Sequence, residues 1–536
     1  MASHTVSTEK SNDPHIANHR SAMTPLSRTG VSYAPEQPEI RFGRNSLKVY
    51  WGCGWIEVLV LRRVLLRCLV SLVLVTMMVS AVYAQPPPTL LWKDDTVSVT
   101  DIAVSKNGQY VVAATTGPDG SEVRFYDRAA STDPKTPVWA TVADLGLEVY
   151  AVAISADGES VVAAFHLTPQ EQASSLQQQQ GPPENGVAYW KNAVTLAGNP
   201  DPTWMSGDLD GPVCGPRCLD ISDDGNYVAV ATIGIPDTIY YYAGSTNRGT
   251  YDEMATAWGG EGSAFTSLDM SSDGNYLVAG LGVDGIWYLK NVRTLAGHIE
   301  NPDWLSLTDG LVSDVAISDD GNYVAAATQG SPATVYYWAG ARGLSGTEPP
   351  GPAPSWQGEP GVPFTSIDIS CDGGSVIAGA SDGVYFWGGA RGLTGTAPPS
   401  WTYPTVSTVS DVAINDAGTY MAAANDVAAH YAYFFDSSGA LKWSEAYPLD
   451  NLVSSISISC DGGTLAVGTE GTVPVESGGT AYLFDTGFST PCCGPEPVGG
   501  VLMPANTFTV FAPWLAVIGA VGCIGTLFVI AKKRRL

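Results

Sequence analysis

Eight times along the chain an alternating apolar run leads into Ser-x-Asp-Gly or a close variant, and a second apolar run rich in small residues follows. The copies occupy 101–115 (DIAVSKNGQYVVAAT), 151–164, 219–232, 268–280, 315–328, 367–380, 412–424 and 456–469. Period-two alternation, as at Val315 and Ile317, marks a strand with two distinct faces. A glycine then supplies the positive φ that a tight hairpin turn requires. Each copy therefore predicts strand, turn, strand. The turn glycines, Gly108, Gly158, Gly225, Gly274, Gly321, Gly373, Gly418 and Gly462, lie 50, 67, 49, 47, 52, 45 and 44 residues apart. That spacing suits four-stranded units and is too long for leucine-rich or tetratricopeptide repeats.

Two more strands complete the unit. One is aromatic, as in Val335-Tyr-Tyr-Trp338 and Val384-Tyr-Phe-Trp387, and the other centres on a lone Trp: Trp92, Trp139, Trp204, Trp258, Trp304, Trp356, Trp401 or Trp443. Small residues on inner strands and large aromatics on outer ones fit a fan of sheets that converge on an axis and diverge at the rim. Trp92 precedes the first copy, and no Trp segment follows the last aromatic strand, so the first strand should complete the last blade and close the ring. The predicted fold is all-β: an eight-bladed β-propeller of four-stranded antiparallel blades, with seven blades as the alternative, plus one C-terminal transmembrane helix.

The two ends carry that last element and a targeting signal. Residues 69–84 are uncharged, follow Arg62, Arg63 and Arg67, and end Val-Tyr-Ala before Gln85, which is a signal-peptide pattern. Residues 508–531 are apolar and uncharged, long enough for one bilayer crossing, and Lys532-Lys533-Arg534-Arg535 places the C-terminus in the cytoplasm. The expected organisation is a polar extension at 1–57 outside the folded part, a signal peptide at 58–84, a propeller ectodomain at 85–488, a linker at 489–507, the transmembrane helix at 508–531 and a basic tail at 532–536. The expected location is the cell membrane, single-pass, with the propeller outside.

Charge narrows the partners. Between the two ends stand 13 Lys and Arg against 48 Asp and Glu, a net charge near −35. Such a surface repels nucleic acid and attracts cations. Six of the nine cysteines lie in this part, Cys214, Cys218, Cys371, Cys460, Cys492 and Cys493, an even number that permits disulfides after export. Cys214-Gly-Pro-Arg-Cys218 is the local pair singled out for a bridge. Innermost strands carry Asp101, Asp220, Asp269, Asp314, Asp368 and Asp411, at two alternating positions. Carboxylates that converge on an axis repel unless they are hydrogen-bonded, protonated or bridged by a divalent cation such as calcium. Hydrogen bonds to neighbouring blades are the simpler expectation, and a channel cation is the second.

The run VSDVAISDDGNYVAAAT followed by VYYWAG resembles the repeats of WD-repeat-like and quinoprotein-like β-propellers, here in the setting of a membrane-anchored prokaryotic surface protein. The Gly-His and Trp-Asp signatures of true WD repeats are lacking. The resemblance implies a non-enzymatic binding or scaffold module for an extracytoplasmic protein or glycan partner. Two alternatives stand beside it. Asp436-Ser-Ser-Gly-Ala-Leu-Lys-Trp443 looks like the docking motif of quinone-dependent dehydrogenase blades, and Cys492-Cys493 is similar to the vicinal pair of some such enzymes. A structural surface-layer or adhesion component is the other, and the ectodomain has no Asn-x-Ser/Thr sequon for N-glycosylation.

Overall fold

In the computed structural model the chain is described from residue 88 to residue 493, apart from short stretches between strands, the longest of them 168–184. The extension, the signal peptide, the rest of the linker from 494, the transmembrane segment and the basic tail lie outside the described residues. Among the described residues no helix is long and apolar enough to cross a membrane.

Each Ser-x-Asp-Gly copy folds as the inner hairpin of a sheet, and there are eight such sheets. Numbered in chain order, blades 1 to 8 begin on the innermost strands Ser98–Val104, Leu147–Ile154, Leu219–Ile221, Phe265–Met270, Val312–Ile317, Phe364–Ile369, Val409–Ile414 and Leu452–Ile458. Blade 4 is representative. Phe265–Met270, Tyr276–Leu281, Gly285–Lys290 and Trp304–Ser306 pair antiparallel from the axis outward. Thr89–Asp94 pairs antiparallel with Thr480–Asp485 and forms the outer strand of blade 8, so the two ends of the ring are hydrogen-bonded to each other. Ring closure ties the two ends of the chain into one blade, leaves only short, protected sheet edges and accounts for the Trp92 strand that precedes the first repeat.

The turn explains its own sequence. Ser222 Oγ donates to Asp224 Oδ1 (2.7 Å) and accepts from the Tyr227 amide (3.0 Å), while Asp224 Oδ1 accepts from the Asn226 amide (3.0 Å). At Gly321, φ is +72°, and a Cβ there would lie 2.3 Å from the Tyr276 ring of the preceding blade. That position therefore needs glycine for both backbone conformation and blade contact. At the tips of these turns the residue after each Ser or Asn links to the next blade. Ala156 N donates to Asp223 O, Asp223 to Ser272, Ser272 to Asp319, Asp319 to Cys371, Cys371 to Asp416, Asp416 to Cys460 and Cys460 to Lys106. Asn107 N donates to Ala156 O and closes this circle of eight. The end of the channel that it surrounds is the turn face; the other is the loop face.

The lone Trp residues lock the rim. Trp139, Trp204, Trp304 and Trp356 are buried, and each indole donates to a carbonyl of the next blade: Ala193, Ser245, Ala341 and Ala390. Those carbonyls open 3-10 turns that follow the third strands, and the chain then pairs in parallel with the outer strand of the blade before. Gly395–Thr396 pairs in this way with Trp356–Gly358. The segments 339–355 and 388–400 thus act as clasps between blades. Blade 7 departs from the pattern: its outer strand is Tyr447–Pro448, and Trp443 lies ahead of it.

Candidate functional site

The sequence pointed to the axial channel, and all six channel aspartates meet there in two tiers. Asp101, Asp314 and Asp411 lie four residues before their turn Ser or Asn; Asp220, Asp269 and Asp368 lie two before. Every one of them uses both carboxylate oxygens on backbone. Asp101 accepts from its neighbour Ile102 N (2.9 Å) and from Val152 N of blade 2 (2.9 Å). Asp314 does the same for Val315 and for Ile367 of blade 6, and Asp368 for Ile369 and for Ile414 of blade 7. Asp220 reaches Met270, Asp269 reaches Ile317 and Asp411 reaches Ile456, each on the next blade. An innermost strand has one side without a ladder partner, and these carboxylates satisfy its orphan amides. Ser457 Oγ, accepting from Val104 N (3.1 Å), does so across the closure of the ring. Between blades 2 and 3 there is neither Asp nor Ser at these positions; there blade 3's inner strand shrinks to Leu219–Ile221 and the 3-10 turn Pro216–Cys218 stands before it.

Burial without water disfavours the charged form of a carboxyl group. Burial pushes Asp101 up to about 7 and Asp269 up to about 6, and lifts Asp220, Asp314 and Asp368 above the ordinary carboxylate range. Asp220 is lifted further by the charge of the neighbouring Asp269.

Two cations close the channel, one at each end. On the loop face Arg217, from blade 3, crosses to blades 5, 6 and 7. Its Nη1 donates to Thr365 O, and its Nη2 donates to Ser410 O (3.0 Å) and Asp411 Oδ1 (3.2 Å), with Asp314 Oδ2 3.6 Å from Nε. Burial alone would lower its pKa, but Asp314 and Asp411 outweigh that and hold it above its ordinary value. Cys214 and Cys218 are joined in a disulfide that pins the Arg217 turn, with Cα atoms 5.7 Å apart. Beside Arg217 lie a cavity of about 240 Å³ bounded by Asp314, Asp368 and Asp411 and one of about 310 Å³ bounded by Asp101, Thr266 and Ser454.

On the turn face Lys106, from blade 1, donates to Asp223 Oδ2 (2.9 Å), Ser272 Oγ (2.9 Å) and Asp319 Oδ1 (3.2 Å). Burial would lower its pKa; Asp223, Asp319 and Asp416 together raise it. Asp416 is pushed up to about 7, mainly by burial.

The same mouth carries two disulfides that spacing did not reveal. Cys371 of blade 6 joins Cys493, and Cys460 of blade 8 joins Cys492. The vicinal cysteines are therefore bonded to the propeller and not to each other. Residues 489–493, expected in the linker, form a strap: Thr490 N donates to Asp461 O (2.8 Å), Asn415 Nδ2 donates to Thr490 Oγ1 (2.9 Å), and the Phe488 ring packs on Tyr420 and Phe434. Two ligand-type clusters occur here, Asp416 with Cys460 and Cys492, and Asp319 with Cys371 and Asp416. Their sulfurs are all in disulfides, which leaves no thiolate for a metal.

Lys106, Arg217 and the pairing of the strap cysteines, which the sequence named only as able to form disulfides, were missed in the sequence. Lys106, Cys371 and Cys460 share one repeat position, the residue after the turn Ser, so comparing the eight copies at that position would have singled them out.

No family model and no curated protein matches this chain. Solved structures do. The C-terminal WD40 domain of Sif2 superposes with a TM-score of 0.51 over 75% of this chain and 99% of that one, at 13% identity. The fold is that of a WD40 propeller. A second such structure, the Dos1 propeller, gives a TM-score of 0.51 over 74% of this chain and 95% of that one, at 10% identity. At these identities the WD40 likeness is one of fold.

Proposed function

We propose that this protein is an extracytoplasmic, membrane-anchored WD40-type propeller that acts as a binding or scaffold module for a protein or glycan partner. The observation that carries the reading is the use of the channel: its six aspartates join blade to blade, and its mouths are crossed by Arg217 and Lys106. An interior committed to cohesion leaves the outer surface for recognition. WD40 propellers generally bind protein partners, which agrees. Three disulfides within one ectodomain suit an oxidising compartment, and the apolar segment 508–531 with its basic tail supplies the anchor.

The quinone-dependent enzyme is the competing reading. Against it stand the pairing of Cys492 and Cys493 with separate blades and the structural use of the channel carboxylates. Protease added to intact producing cells tests the main reading. Release of a propeller-sized fragment, with a carbonate-resistant remnant in the membrane, is expected. A chain cleaved only after lysis contradicts it, and turnover of alcohols or sugars after quinone reconstitution contradicts the non-enzymatic part.

A further inference from the structure

We infer that the propeller stands with its turn face toward the bilayer and its loop face, the one closed by Arg217, away from it. This rests on the membrane-anchored reading and adds an orientation to it. The first observation is where the chain leaves the disc. The third strand of blade 8, Thr480–Asp485, ends on the turn face. From there the strap runs inward, and its two disulfides fix Cys492 and Cys493 to Cys460 and Cys371. Those partners belong to the circle of backbone hydrogen bonds around the channel mouth, and Cys493 N donates to Asp416 Oδ2 of the same circle (3.3 Å). The tether to the apolar segment therefore starts close to the axis, not at the rim.

Chain length makes that position decisive. From Cys493 to Phe508 the chain reaches at most roughly 50 Å, at about 3.5 Å per residue. With the loop face on the membrane, the tether would first have to cross the disc radially and then descend its side. Four strands about 4.8 Å apart put the rim roughly 20 Å or more from the axis, and strands of six to eight residues make the disc about 20 to 26 Å deep. Inversion would consume nearly the whole reach before the bilayer began.

Charge gives a second, independent reason. Of the 13 basic residues between the two ends of the chain, ten lie at the turn-face ends of strands or in the loops there, among them Lys191, Arg293, Arg342 and Arg391. The turn face also carries acids, with Arg293, Arg342 and Arg391 facing Asp273, Asp320 and Asp372; the loop face carries the exposed acids Asp95, Asp210, Asp309, Glu359 and Asp382 with three basic residues, Lys93, Arg124 and Arg217. An anionic headgroup layer repels that face more strongly than the mixed turn face.

The test uses the full chain reconstituted in vesicles that contain acceptor-labelled lipid. A donor dye is attached through an azide-bearing residue placed at exposed Gln109 on the turn face or at Val406 on the loop face, which is 67% exposed. Energy transfer should be at least twofold greater from position 109. Equal transfer, or greater transfer from 406, in protein that floats with the vesicles overturns the orientation while leaving anchoring intact. Protein that does not float removes the anchoring reading and the orientation with it. In the Cys492→Ser, Cys493→Ser double variant the difference should shrink toward equality; a difference that persists in full means that the strap does not orient the disc.

Discussion

The two mouths of the channel solve one problem by different means. Both are acidic rings, and both are crossed by a single basic side chain from one blade. At the loop face Arg217 meets carboxylates that are nearly buried, Asp314 and Asp411, with side chains 8% and 14% exposed. It comes from a short turn held by a disulfide between residues four apart. At the turn face Lys106 meets Asp223 and Asp319, each about a third exposed, and the ring is crossed by a strap whose disulfides close separations of 122 and 32 residues. Local burial carries the first mouth and long-range covalent closure carries the second. The guanidinium fits the first because it can serve two carboxylates and two carbonyls from one plane.

The largest expected effect lies in the disulfides. In the chain-entropy picture, removing Cys371–Cys493 costs about 5 kcal/mol, Cys460–Cys492 about 4 and Cys214–Cys218 about 2. Urea unfolding of the three paired Cys→Ser variants should give that order. A Cys214–Cys218 pair as costly as the strap pairs would mean that the loop-face turn matters beyond its own closure.

Next come the two cations. Arg217→Met strands two buried carboxylates and should cost about 3 kcal/mol, as breaking a buried pair does. Lys106→Met acts in a wetter place, where solvent screening leaves about 1 kcal/mol or less. Equal losses in the two variants would break the comparison.

Acidity provides a third test. Asp101, Asp269 and Asp416 keep their protons in the folded chain up to about 7, 6 and 7, whereas an unfolded Asp loses its proton near about 4. Between these values the folded chain binds more protons than the unfolded one. The contribution is thus full below about pH 4, declines as pH rises and is lost above about 7. Tm should be higher at pH 5 than at pH 8, and a rise over that interval would contradict the burial of these groups.

The smallest effect is expected from calcium, since both oxygens of every channel aspartate already accept backbone amides, Asp220 from Ile221 and Met270 and Asp269 from Met270 and Ile317. A site saturated at a hundred times Kd would stabilise by about 2.7 kcal/mol, a rise in Tm of roughly 3 °C for a domain of this size. Tm in millimolar calcium should match Tm in chelator, and a rise of that size would show a bound cation.

Blade number and ring closure were legible because the signals repeat. Eight turn glycines set the count, and the unpaired Trp92 strand called for a partner at the other end of the chain. The six aspartates were legible as residues, and their preference for blade-to-blade hydrogen bonds followed from like-charge repulsion. Their assignment to particular amides needed the structure, since Val152 lies 51 residues from Asp101. The outer strand of blade 7 was misplaced at Trp443 because a lone Trp marks a rim position without fixing which backbone pairs. The β-bulges that recur near the start of inner strands, as between Val312 and Asp314, leave no periodic trace beyond a slipped alternation. Arg217 and Lys106 are single departures within a repeat, and what they touch depends on which blades face one another across the axis.

The account rests on a propeller whose last described residues, Cys492 and Cys493, are sewn to the channel mouth. Mass spectrometry of protein taken from intact cells, alkylated before digestion and kept unreduced, tests this most directly. Peptides cross-linked through Cys371 with Cys493 and through Cys460 with Cys492 are expected. Free, alkylated thiols at all four positions, or a bond between Cys492 and Cys493, would contradict it.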